Sequence, residues 1–136
     1  MLGDHLVFPI LLSTDLAKSR AFYHDTLGLA ILRQDEERII FRCGSGSQLS
    51  VTRSTTGTSD TQTQLAWLVP DIRAELADLR ARGVRIEAYA APDPETDADG
   101  IADMGFAWAA WIIDPSRNAL ALIQPKGAPA DPPHGR

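Results

Sequence analysis

The chain has 136 residues, 44% hydrophobic and 23% charged, enough apolar material for one domain with its own core. A net charge of -5 without any dense Lys/Arg patch argues against nucleic acid or an anionic membrane surface as a partner, and no apolar run approaches the length of a membrane span. The lone Cys43 rules out an intrachain disulfide, and the first residues lack the charged and apolar regions of a signal peptide, so a cytoplasmic location is expected.

Residues 5–12 are apolar and run into Ser13-Thr14-Asp15, the pattern of a strand feeding a helix whose free N–H groups Thr14 or Asp15 can cap. Leu16, Ala17, Arg20, Phe22, Tyr23 and Leu27 give that helix a broad apolar face, and Gly28 is a natural terminator. Three short strands are expected at 29–34, 38–43 and 48–52, with Asp35-Glu36-Glu37 and Gly44-Ser45-Gly46 as turns. The Ser/Thr/Gly-rich stretch 54–62 reads as a linker.

The order then repeats. Residues 64–69 form a strand, Asp71 opens a helix striped by Ile72, Leu76, Leu79 and Ala81, and Gly83 closes it. A strand is expected at 84–89, followed by an acidic, turn-prone stretch over 91–105 that would act as a solvated lid. Two final strands flank Asp114-Pro115-Ser116-Arg117-Asn118, whose turn-forming residues connect them. The stretch 125–136, with Pro125, Pro129, Pro132 and Pro133, reads as a flexible tail.

Asp15-Leu16 before Gly28-Leu29 matches Asp71-Ile72 before Gly83-Val84, so the fold class is α+β, built from two tandem β-α-β-β-β units. Unit one spans 5–53 and unit two 63–124 within a single domain of 1–124. One amphipathic helix covers only one face of each sheet, so a curved mixed sheet with a central groove is the expected architecture.

The pieces Ser19-Arg20-Ala21-Phe22-Tyr23, Leu27-Gly28-Leu29, Val69-Pro70-Asp71-Ile72 and Trp111-Ile112-Ile113-Asp114-Pro115-Ser116-Arg117-Asn118, in this order and duplicated, resemble the vicinal oxygen chelate superfamily. That group includes glyoxalase I, extradiol dioxygenases, fosfomycin-resistance proteins and bleomycin-binding proteins. The resemblance implies one divalent metal held by four side chains, from the first and last strands of each unit. On this chain the positions fall at Phe8, Gln64, Ser50 and Ala121. Phe8 and Ala121 have no donor atom, and Gln64 and Ser50 are weak ligands without a carboxylate beside them. No metal and no other cofactor is therefore expected. His5, His24 and His134 are too scattered to rebuild the site.

Strand alternation puts Phe8, Ile10 and Leu12, Gln64, Ala66 and Leu68, Ala107, Ala109 and Trp111, and Ala119 and Ala121 on the groove face. The expected ligand-binding residues are Phe8, Ser50, Gln64, Trp111 and Ala121, around a small apolar or aromatic molecule, with the acidic excess favouring a cation. A metal-independent isomerase or lyase is the alternative, Tyr23, Asp25, Glu87 and Tyr89 being available acid–base groups, and a metal-dependent lyase or dioxygenase is the reading if the strand register differs. A closed core over the same residues is the third. The resemblance also implies a homodimer that protects the open sheet edges.

Overall fold

The computed structural model describes residues 1–127. One compact unit comprises residues 1–64 together with 113–119. Its first strand, β1 (Ile10–Ser13), starts later than the 5–12 reading, and Leu2–Asp4 forms a turn of 3-10 helix instead. Pro9 accounts for the late start. Its nitrogen has no proton to give to a ladder, while its carbonyl accepts from the Ser50 amide at 3.0 Å.

The helix α1 (Leu16–Arg20) is capped by Asp15, whose carboxylate accepts from the Lys18 amide at 3.1 Å. It continues as a wider π turn over Ala21–Thr26, where a regular α-helix was expected. The Leu27 amide accordingly reaches back to the Phe22 carbonyl at 2.9 Å. Gly28, at φ 80°, ends it.

Strands β2 (Ala30–Gln34), β3 (Arg38–Arg42) and β4 (Gln48–Arg53) match the expected stretches closely. They form a four-stranded sheet in the order β1-β4-β3-β2. The β1–β4 pair is parallel, with Ile10 opposite Ser50 and Leu12 opposite Thr52, and the other pairs are antiparallel. Alternation then separates two faces. Leu11, Ile39, Phe41, Leu49 and Val51 are buried with Tyr23, whose ring centroid lies 5.5 Å from that of Phe41. Ile10 and Leu12, on the other face, remain exposed.

The segment 113–119 supplies this unit with more than a chain reversal. The Asp114 carboxylate is buried and accepts from the Tyr23 hydroxyl at 2.6 Å, from the Asn118 side-chain amide at 2.8 Å, and from the amides of Ser116 and Asn118 at 2.9 and 2.8 Å. Asn118 also donates to the Leu12 carbonyl at 2.8 Å, and Ser116 Oγ accepts from the Thr14 amide at 3.2 Å. The sequence showed a polar connection; the fold makes it the polar centre of the unit.

The other unit holds residues 65–112 and, of the described residues, 120–127. Strand β5 (Thr63–Leu68) leads to α2 (Ile72–Ala81), capped by Asp71 through the Ala74 amide at 3.1 Å. Strands β6 (Ala102–Asp103), β7 (Ala107–Ile113) and β8 (Ala119–Pro125) complete a sheet ordered β5-β8-β7-β6. The strand expected over 84–89 is not formed. That stretch runs beside β7 through one main-chain bond, Glu87 amide to Trp111 carbonyl at 2.9 Å. Tyr89 instead spends its backbone groups on Thr96, at 2.8 Å to the hydroxyl and 3.0 Å from the amide.

The acidic stretch is tied down by its own carboxylates. Asp97 accepts from the amides of Asp99 and Ile101, Asp99 pairs with Arg73 at 3.0 Å, and Asp103 pairs with Lys126 at 2.6 Å. The main-chain bonds hold the Asp97 carboxyl below the usual carboxylate range, chiefly the one from Ile101, and the Lys126 bond does the same for Asp103. Residues 128–136 of the expected tail lie outside the described residues.

Candidate functional site

Strand β7 alternates cleanly. Ala110 and Ile112 are buried on one side, and α2 turns its buried stripe, Ile72, Leu76 and Leu79, inward. On the other side Ala109 and Trp111 pack with Ala102 and Ala121, and Tyr89 and Ile123 close against them. The β6–β7 register sets Ala102 opposite Ala109, which fixes both on this face. Tyr89 meets Trp111 edge to face, centroids 5.6 Å apart and planes at 82°. The three alanines and Trp111 are buried in this cluster, and Tyr89 is its partly exposed aromatic edge.

A carboxylate borders it. Glu87 is two residues from Tyr89, close enough for its charge to act on the Tyr89 phenol. Its side chain is only 20% exposed, and its ion pair is to Arg85 at 3.6 Å, itself 83% exposed. Burial, then the charges of Glu87 and Asp93, push the Tyr89 phenol above its ordinary value, so it stays protonated at neutral pH. Trp108 faces the opposite way, with Lys126 Nζ 4.0 Å from its ring centroid.

Of the five residues expected from sequence, Trp111 and Ala121 come together in this cluster. Ser50 is buried in β4 with its hydroxyl 3.3 Å from that of Thr52. Phe8 precedes β1 and is half exposed, and Gln64 is exposed near the start of β5. Glu87 and Tyr89 were visible in the sequence only as unattached acid–base groups. Their common parity, two apart after the helix-ending Gly83, was the signal available.

The metal positions that the resemblance implies do not fit a metal. A phenyl ring and a methyl group bring no lone pair, the Ser50 hydroxyl is engaged with Thr52, and no carboxylate or imidazole joins them. Among the described residues no group of three or more His, Cys, Asp or Glu is arranged to hold an ion. His24 uses Nδ1 at 2.7 Å from the Leu29 carbonyl oxygen.

Two β-α-β-β-β units, each with an Asp-capped helix and a four-stranded mixed sheet, define a duplicated α+β protein. The chain belongs to the glyoxalase/bleomycin resistance protein/dioxygenase superfamily, whose profile matches residues 4–122. Its fold is similar to a glyoxalase/bleomycin resistance protein/dioxygenase from Alicyclobacillus acidocaldarius, at TM-score 0.69 and 18% identity over 92% of this chain and 94% of that one. An antibiotic-binding protein from a Streptomyces species superposes at TM-score 0.67 with 21% identity, over 90% and 96% of the two chains. A bleomycin resistance determinant encoded on transposon Tn5 does so at 0.64 with 21% identity, over 90% and 99%. No curated protein matches the chain by sequence. Among the described residues no helix is long and apolar enough to cross a membrane.

Proposed function

We propose that this protein binds a small apolar or aromatic molecule without the help of a metal ion, in a groove on the sheet face that α2 leaves uncovered. The observation that carries the reading is the edge-to-face Tyr89–Trp111 pair packed on the small buried residues Ala102, Ala109 and Ala121, with Tyr89 as its partly exposed edge. Trp111 and Ala121 are its centre; Phe8, Ser50 and Gln64, expected as contacts from the sequence, belong to the other unit. The donor-poor metal positions support the metal-free part of the reading, and the net charge of -5 favours a cationic over an anionic ligand. Two fold relatives, one an antibiotic-binding protein and one a bleomycin resistance determinant, suit a binding reading.

The test is thermal-shift and tryptophan-fluorescence titration with a panel of planar aromatic compounds, with and without zinc, manganese or magnesium. Saturable binding that the metals leave unchanged, and that Trp111→Ala abolishes while the fold persists by circular dichroism, is the expected result. Binding that requires a metal overturns the reading. A homodimer is proposed as the cover for exposed Phe8, Ile10, Leu68 and Phe106. Light scattering coupled to size exclusion, with a mass of one chain, would refute that.

A further inference from the structure

We propose that the cleft between α1 and the β2–β3 turn is a second binding site, which takes a small zwitterion of the short-peptide class. The ligand's carboxylate meets Arg20 and Arg53, and its ammonium meets Glu36 and Asp35. The site is independent of the reading above, since every residue it uses lies in the first unit.

The cleft has a volume of about 790 Å3, within the range of small-molecule sites. Leu16 and Ala17 give it an apolar wall from α1, and Arg20 follows one turn later on the same side of that helix. The remaining walls are the turn residues Asp35 and Glu36, and Arg53 at the end of β4. Main-chain and side-chain bonds hold these walls in place. The Arg53 amide donates to the Glu37 carbonyl at 2.7 Å, and the Asp35 carboxylate accepts from the amides of Glu37 and Arg38 at 2.8 and 3.0 Å. Arg20 Nε donates to Gln34 Oε1 at 3.2 Å, which ties the helix to the end of β2. A site formed before the ligand arrives loses less conformational freedom on binding.

The charges that line the cleft are balanced, two guanidinium groups and two carboxylates, yet they do not close on one another. Among the described residues neither Arg20 nor Arg53 has a carboxylate within ion-pair distance, and the Glu36 carboxylate makes no hydrogen bond or ion pair. Asp35 commits Oδ1 to its own turn, and those amides, the one from Glu37 first, hold its carboxyl below the usual range, so it is ionised at neutral pH. Opposite charges that share a cleft without touching favour opposite groups at its two sides. A plain anion gains the arginines and is repelled by the acids, and a plain cation meets the reverse. A molecule that carries both charges is attracted at each end. The planar fork of a guanidinium matches a carboxylate, and Leu16 and Ala17 offer the ligand body an apolar contact.

Leucyl-leucine and its three blocked forms separate the two ends from the apolar body. N-acetyl-leucyl-leucine keeps only the carboxylate, leucyl-leucinamide only the ammonium, and the doubly blocked peptide neither. Each is titrated into the isotope-labelled full chain and followed by backbone amide NMR shifts. Leucyl-leucine should bind tightest, with shifts at Ala17, Arg20 and Glu36. Loss of either charge should weaken binding about threefold to fivefold, and loss of both about tenfold, the range for exposed ion pairs. Arg53→Ala should weaken leucyl-leucine but not leucyl-leucinamide, and Glu36→Gln should weaken leucyl-leucine but not its N-acetyl form. Arg53 and Glu36 are both exposed, so these variants keep the fold. Absence of binding by leucyl-leucine, or shifts confined to residues outside the cleft, overturns the proposal. So does an N-acetyl form that matches leucyl-leucine, which would make the cleft a site for anions only, or an amide that matches it, which would remove the arginines from recognition.

Discussion

Removing one oxygen atom from the interior of the first unit should cost this protein a large share of its stability. Tyr23 is completely buried, and its hydroxyl donates to Asp114 at 2.6 Å. Tyr23→Phe keeps the ring, so its contacts with Phe22 at 5.0 Å and Phe41 at 5.5 Å survive and no cavity opens. What changes is the carboxylate, whose Oδ2 retains only the Asn118 side-chain amide at 2.8 Å. A hydrogen bond to a buried charged acceptor contributes about 1.5–3 kcal/mol, so a loss of about 2 kcal/mol is expected. For a domain of this size that corresponds to a fall in Tm of about 6–8 °C.

Asp114→Asn should cost more, about 3–5 kcal/mol, because one side-chain oxygen becomes an NH2 facing the Tyr23 hydroxyl and the Asn118 amide. Urea denaturation gives the midpoint and slope for the wild type, both single variants and the double variant. The double variant should be more stable than the sum of the single losses, since the pair is in direct contact. A midpoint for Tyr23→Phe equivalent to less than about 0.5 kcal/mol of change would refute the reasoning.

The same pair has a pH signature. Burial first, then Asp114, raises the Tyr23 phenol far above its ordinary value. A raised folded-state value means stability that is complete below about pH 10 and is lost as pH climbs beyond it. Absorbance at 295 nm should therefore show Tyr23 ionising together with unfolding, and Tyr23→Phe should remove that coupling. At the acid end, Asp35, Asp97 and Asp103 all have lowered values, so their contribution is present above about pH 4 and fades as pH falls further. Urea midpoints between pH 6 and pH 3 check the sign, and Asp97→Asn should flatten the slope.

Asp71→Ala removes the cap of α2 and should lower stability by about 1 kcal/mol, measured by the same urea midpoint. Gly100 is buried at φ +86°, where a Cβ would stand 2.6 Å from Ile86 Cγ2. Gly100→Ala should therefore destabilise by about 1–3 kcal/mol, read from the same urea midpoint.

Much of this was readable from the residues alone. The duplicated order, the Asp15 and Asp71 caps, the Gly28 and Gly83 terminators and the strands at 29–34, 38–43 and 48–52 are local signals. They depend on period, capping and turn chemistry within a few residues, and the structure keeps them. The parity of β7 was legible for the same reason, because alternation needs no tertiary information.

Tertiary structure decided the rest. Pro9 delayed β1, since a ladder partner had to be known before the missing donor mattered. Residues 84–89 have the composition of a strand, but Thr96 and the close approach of Gly100 take up their backbone. The turn at 114–118 reads as a polar connection in sequence, and only the fold brings Tyr23, ninety-one residues away, onto Asp114. Glu87 beside Tyr89 and Trp111 has the same character. Its surroundings are assembled from stretches distant in the chain, so burial and charge pairing there are properties of packing and cannot be read from neighbours in sequence.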